Sequence, residues 1–124
     1  YDNQLAKKGL LKNLINAIKN NKIFNVNKMQ TIRNYIHIED LIRIIKIIMN
    51  KKILNKIIDI GHQNISNYRM IKVFENIFKK KVRINDLKKS YVFDPNLKIN
   101  SNLIKKKFSY RFKNRVEGSI KLNK

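Results

Sequence analysis

The run Arg33-Asn34-Tyr35-Ile36-His37-Ile38-Glu39-Asp40-Leu41 gathers a guanidinium, a phenol, an imidazole and two carboxylates at a single junction. A guanidinium is planar, permanently charged and able to donate two hydrogen bonds at once. An Arg standing where a loop enters a strand is therefore suited to reach into a cleft and hold a phosphate. The residues alone leave a second reading open for Arg33, a solvent-facing side chain paired with Glu39 or Asp40, since such surface pairs are common and weak. His37 reads as a strand residue with one satisfied ring nitrogen rather than an acid/base group. Cysteine is absent, which excludes a disulfide framework and thiolate metal sites, and with only His37 and His62 present a zinc site lacks ligands.

The elements that must position these groups follow from hydrophobic spacing. Leu10, Leu11, Leu14, Ile15 and Ile18 recur at helical intervals opposite Lys12, Asn13, Asn16 and Lys19, which predicts an amphipathic helix. Asn20-Asn21-Lys22 ends it, and Ile23, Phe24 and Val26 form a short strand. Asn34 to Ile38 is β-rich and leads to Glu39-Asp40, two acids that favour a helix start through capping and the helix dipole. The helix from Leu41 to about Asn50 is apolar on most of its circumference. Its polar positions Arg43, Lys46 and Asn50 form one narrow stripe, so it is expected to be nearly buried against a sheet. Ile57 to Gly61 reads as a buried strand ending at a glycine turn. After it, Ser66 or Asn67 can cap a helix whose inner face carries Met70, Ile71, Phe74, Ile77 and Phe78. The order strand, helix, strand, helix argues for an α/β fold with right-handed crossovers. Further on, Tyr91-Val92-Phe93 reads as a short strand closed by Asp94-Pro95, with short helices at Asn102 to Phe108 and Val116 to Leu122.

At 124 residues the chain has room for one core, so a single domain or one piece of a domain is expected. The net charge of +21 suggests a nucleic-acid or anionic-membrane partner at first sight. Lys, Asn and Ile, however, supply about half of the chain, and all three are written by A/T-only codons. Arg, the residue suited to bidentate base and phosphate contacts, numbers six against 23 Lys. Codon drift therefore accounts for the charge better than a selected nucleic-acid surface does. The densest apolar stretch, Leu41 to Met49, is broken by Arg43 and Lys46 and is far too short to span a membrane, and no signal peptide is visible. A cytoplasmic protein, or a fragment of one, is expected.

The Arg33 to Leu41 run resembles the Arg-Asp-Tyr-Ile-His-Val-Asp-Asp-Leu segment of NAD-dependent sugar-nucleotide epimerases and dehydratases, the extended short-chain dehydrogenase/reductase group. Other positions resemble the family more loosely. They include Tyr1 and Gly9 ahead of the first helix, Ile58-Asp59-Ile60-Gly61 as a strand end, and Arg83-Ile84-Asn85-Asp86 as a second nucleotide-binding element. Asn100-Ser101, Lys105, Phe108, Tyr110 and Glu117-Gly118-Ile120 resemble its closing motifs. The resemblance implies an α/β fold, specifically the C-terminal part of a Rossmann-type domain, with residues 1–124 forming the substrate-binding portion. It implies a nucleotide-diphosphate sugar as substrate, with Arg33 and Arg83 on the diphosphate and Tyr35 near the ribose. It also implies NAD as cofactor, bound by an N-terminal portion that this chain does not contain. Glycines at 9, 61 and 118 cannot form the Gly-rich turn that holds a dinucleotide pyrophosphate.

The family's catalytic pair has the spacing Tyr-x-x-x-Lys, and Tyr68 to Lys72 matches that spacing. Met70 and Ile71 between them mark a packing helix, and the pair falls well past the family's catalytic position. No catalytic residue is therefore expected here, and the chain alone is not expected to be catalytically competent. Two rival readings stand beside this one. The first is a basic nucleic-acid-binding module in which Phe108, Tyr110 and Phe112, among the cations of Lys105 to Arg115, stack bases; the second is a non-catalytic remnant. Core aromatics alternating with solvated Lys is the plainer account of that stretch. The sugar, the reaction branch and the oligomeric state, a homodimer included, are left open.

Overall fold

The computed structural model describes residues 9–53, 55–88, 96–122 and 124. The strand expected at Tyr91 to Phe93 and the family position at Tyr1 lie outside these residues. Helix α1 (Leu10–Lys19) buries Leu11, Leu14, Ile15, Ala17 and Ile18, the stripe its spacing predicts. The chain reverses at Asn21, which takes the left-handed conformation (φ 51°) that Asn tolerates better than most residues. Strand β1 (Ile23–Val26) follows, with Phe24 and Val26 turned inward. Strand β2 (Ile32–Tyr35) and helix α2 (Ile38–Asn50) come next, then strand β3 (Gln63–Ser66) and helix α3 (Asn67–Phe78). Strand β4 (Arg83–Asp86) and the short helices α4 (Asn102–Lys107) and α5 (Val116–Leu122) complete the described elements.

Two small sheets organise the fold. β1 and β4 run parallel, with Ile23 opposite Arg83 and Val26 opposite Asp86. β2 and β3 run antiparallel, with Arg33 opposite Ile65 and Asn34 opposite Asn64. The α/β class is as expected, but the β2–α2–β3 unit returns antiparallel rather than by a parallel crossover. Strand positions also differ from the sequence expectation. β2 ends at Tyr35, and His37, its backbone still extended, caps α2 instead of pairing in the sheet, its Nδ1 accepting from the Glu39 N–H at 3.2 Å. Ile57 to Gly61 is irregular, and the strand begins at Gln63 instead. A strand buried on both faces needs neighbours on both. Here Ile58 and Ile60 pack inward while Ile57 is 99% exposed. At the end of that segment Gly61 is in close contact with the Asn34 side chain, and a Cβ there would collide with it. Asn34 is held in place by accepting from the His62 N–H and donating to Asn64 Oδ1.

The larger core joins α1, β1, Ile65 of β3, α3, Val82 and α5 around Leu14, Met70, Phe74, Val116 and Ile120. A second cluster places Ile44 of α2 against Ile104, Phe108 and Tyr110. α3 is capped as its sequence suggests, Ser66 Oγ accepting from the Arg69 N–H at 3.1 Å.

Helix α2 is not buried as its composition predicts. Ile44 is fully buried, and Ile47 and Ile48 pack against the second cluster. Ile38, Ile42, Ile45 and Met49, at the four- and three-residue steps of a single helical stripe, are 40–70% exposed. The described residues hold no sheet against that side, so α2 carries one covered apolar face and one open one.

Candidate functional site

Arg33 lines a cleft of about 280 Å³. α1 contributes Leu10 and Asn13 with Gly9 just before it, β1 and the following turn contribute Phe24 to Asn27, and Asn67 comes from the start of α3. The first turn of α1 contains no acid, and Gly9 at its cap offers no side chain to its N–H groups. A helix start of this kind presents N–H donors that its own cap residue does not engage, together with the positive end of the helix dipole. With a guanidinium beside it and no carboxylate among the described lining residues, the cleft is chemically suited to an anion.

The polar wall is itself held by hydrogen bonds. Asn67 Nδ2 donates to the Lys28 carbonyl at 2.8 Å, and Asn25 Oδ1 accepts from Asn85 Nδ2 at 3.0 Å. None of Gly9, Asn13, Asn25, Asn27 or Asn67 stands out in the sequence as a site residue. The one available signal is Gly9 ahead of an amphipathic helix with no acid to cap or complement its start.

The other expected site residues occupy different surroundings. Tyr35, next but one to Arg33, is half-buried at the margin of the larger core. Burial pushes its pKa up, with the Arg33 charge opposing. Arg83 opens β4 and donates from Nη2 to the Asn21 carbonyl at 2.7 Å, tying the α1–β1 turn to the parallel sheet. Arg83 is not among the lining residues of the Arg33 cleft. Tyr68 and Lys72 lie on the outer face of α3, the ammonium 5.5 Å from the ring centroid and 2.9 Å from Glu75. Lys72 is thereby engaged as a surface cation, while Met70 and Ile71 pack inward.

Asp40 is the residue whose role sequence reading missed. It is completely buried and accepts four hydrogen bonds: from the Tyr110 hydroxyl (2.5 Å), the Lys113 and Asn114 N–H groups (3.1 and 3.0 Å) and Asn114 Nδ2 (3.2 Å). Burial alone would raise its pKa, but these donors outweigh that and hold the carboxyl below its ordinary value. The same contact, after burial, pushes the Tyr110 pKa up to about 12. The acid therefore serves as a tertiary anchor between α2 and the segment before α5, as well as a charge near a helix start.

That anchor also settles the aromatics of Lys105 to Arg115. Phe108 and Tyr110 are buried, and Phe112 stacks on His62 with centroids 4.1 Å apart and planes 3° from parallel. A base-stacking surface needs exposed rings, and these three are occupied within the fold.

Among the described residues, no cluster of His, Asp and Glu could hold a metal ion, and no helix is long and apolar enough to cross a membrane. No family model and no curated protein sequence matches the chain. Solved structures do. A UDP-glucose 4-epimerase from Brucella ovis in complex with NAD superposes with a TM-score of 0.72 at 16% identity, over 93% of this chain and 39% of that one. A UDP-N-acetylglucosamine 4-epimerase from Methanobrevibacter ruminantium M1, in complex with UDP-N-acetylmuramic acid, superposes with a TM-score of 0.69 at 15% identity, over 98% of this chain and 39% of that one. At such identities the likeness establishes the fold: this chain has the α/β arrangement of part of the sugar-nucleotide 4-epimerases. It spans about two fifths of the length of the structures it matches.

Proposed function

We propose that residues 1–124 form the C-terminal, substrate-side portion of an NAD-dependent sugar-nucleotide epimerase or dehydratase resembling UDP-glucose 4-epimerase, and that they hold the nucleotide diphosphate of the substrate. The observation carrying this reading is the Arg33 cleft, where a guanidinium and a helix start that Gly9 leaves without a side-chain cap line the same polar space. A diphosphate there gains charge-assisted hydrogen bonds worth roughly 1.5–3 kcal/mol each. Arg83, with one N–H donor given to Asn21 and others remaining, is the second diphosphate contact in this reading, and Tyr35 stands beside the ribose.

The residues of this chain do not fit NAD. Its glycines stand singly at 9, 61 and 118, so no Gly-rich strand–turn–helix can form, and the hydride chemistry is assigned to a separate N-terminal portion. The open stripe of α2 is the surface on which that portion would seat. A second copy of this chain is the weaker candidate for that face, because two bodies of charge +21 repel. The working compartment in this reading is the cytoplasm.

Calorimetric titration of the chain with UDP tests the reading. Arg33→Ala is expected to weaken binding by about tenfold or more, the loss of one charge-assisted contact. Unchanged affinity would overturn the assignment of the cleft. Arg83→Ala run in parallel separates a two-armed clamp from a contact made by Arg33 alone.

A further inference from the structure

On the side of β3 that leads into α3, a second pocket of about 240 Å³ is lined by His62, Gln63, Asn64, Ile65, Arg69, Lys105 and Arg115. It shares no lining residue with the Arg33 cleft. We propose that it is a second anion site, with Arg69, Lys105 and Arg115 converging on a phosphoryl group of a small molecule.

Three observations carry the assignment. First, the cations come from three separate places, the first turn of α3, α4 and the residue before α5, and among the described residues no carboxylate lines the space they surround. Among the described residues, the ion pairs engage Arg43, Lys72 and Lys81 with Glu39, Asp40 and Glu75, and none engages Arg69, Lys105 or Arg115. Two acids stand outside the lining: Glu117, whose Oε2 accepts from Gln63 Nε2 at 3.5 Å, and Asp40, whose charge is felt at His62. Three like charges around one small space repel unless an anion joins them.

Second, Arg69 lies in the first turn of α3, where the helix dipole disfavours a cation and no acid in that turn compensates. Third, Arg is scarce against Lys in this chain, so two of six arginines meeting at one pocket is not explained by the general drift toward Lys. Arginine pairs suit the tetrahedral oxygens of a phosphoryl group.

The floor of the pocket is fixed beforehand. Gln63 Oε1 accepts from the Val116 N–H at 2.9 Å, while Asn64 accepts from the Ile99 N–H and donates to the Ile99 carbonyl. His62 is clamped by its stacking on Phe112. Burial holds its pKa below the usual value, with the Asp40 charge opposing and the Arg115 and Lys105 charges adding to the lowering. The volume admits a phosphate with a small substituent and excludes a duplex.

The test is an amide-shift NMR titration of the chain with inorganic phosphate and, separately, with UMP, at constant ionic strength. Saturable shifts at Asn64, Arg69, Lys105 and Arg115, weakened about tenfold in both Arg69→Gln and Arg115→Gln and unaltered in Arg33→Ala, are expected. All three cations of the site are exposed, so the substitutions leave the fold intact, which the unchanged remainder of the spectrum verifies. Tighter binding of UMP than of phosphate identifies a nucleotide as the source, and equal affinity identifies free phosphate. Non-saturating shifts spread over the lysines, or variants that bind as tightly as the parent, overturn the site. Because Arg33→Ala is the control here and the probe in the UDP titration, failure at either pocket is read separately from the other.

Discussion

Two side chains of the Arg33 to Leu41 run carry different burdens. Arg33 lines an open polar cleft, and on the reading proposed above its loss removes a ligand contact. Asp40 is the reverse case, buried and saturated with donors, so its replacement strands the Tyr110 hydroxyl and two backbone N–H groups. Asp40→Asn keeps the shape but offers only one accepting oxygen, and it is expected to destabilise the fold by about 2–3 kcal/mol. Denaturant titration of parent and variant measures this. The charge also predicts the pH dependence. The folded pKa lies below the ordinary 3.8, so the stabilisation is complete above that value and is lost as pH falls through the folded pKa. Glu75 acts in the same direction: its pKa, raised by burial, is brought below 4.5 overall by Lys72 and the Val82 N–H. Thermal melts recorded from pH 7 down to pH 2 should therefore show an acid limb that is shallower in Asp40→Asn. An identical limb would mean that other groups govern acid unfolding.

The helices show how a local signal and a tertiary one divide the work. The start of α3 is local: Ser66 accepts from the Arg69 N–H, and Ser66→Ala should cost about 1 kcal/mol, visible as a lower denaturation midpoint with an unchanged slope. The start of α2 is less simple. Glu39 and Asp40 do stand in its first turn, yet the cap is His37, and Asp40 is drawn into a contact some seventy residues away in sequence. The apolar circumference of α2 is likewise legible in the sequence, but the sheet expected to cover its outer side is not among the described elements. Composition reports how much apolar surface an element has. It does not report which molecule covers it.

For the molecule as a whole, the open stripe Ile38, Ile42, Ile45 and Met49 and the two-fifths coverage of the 4-epimerase structures bear on the same issue. A monomer that exposes a contiguous apolar stripe has a surface built for contact. The double substitution Ile42→Glu with Ile45→Glu should leave the stability of the isolated chain within about 0.5 kcal/mol, since both side chains are already exposed. It should also abolish most binding of an apolar fluorescent dye. In a protein joined to an NAD-binding portion, the same pair should lower the melting temperature. Full dye binding by the double variant would show that the stripe is not the open apolar surface.

The sequence by itself determined the elements whose causes are local. The stripe of α1, the Ser66 cap, the inward face of α3 and the short α4 and α5 all follow from spacing and capping within a few residues. It also carried the resemblance that the α/β fold of the 4-epimerase structures now accompanies, and it marked Arg33 as a residue suited to phosphate. Only the tertiary structure decided what Arg33 faces, because the cleft is assembled from α1, β1, β2 and α3. Only it showed Asp40 as an anchor, the aromatics before α5 as packed, and Arg69, Lys105 and Arg115 as neighbours. The reason is range. Helical periodicity and capping act over one or two turns, whereas a site is a meeting of distant segments, and no spacing along the chain encodes which of them will meet.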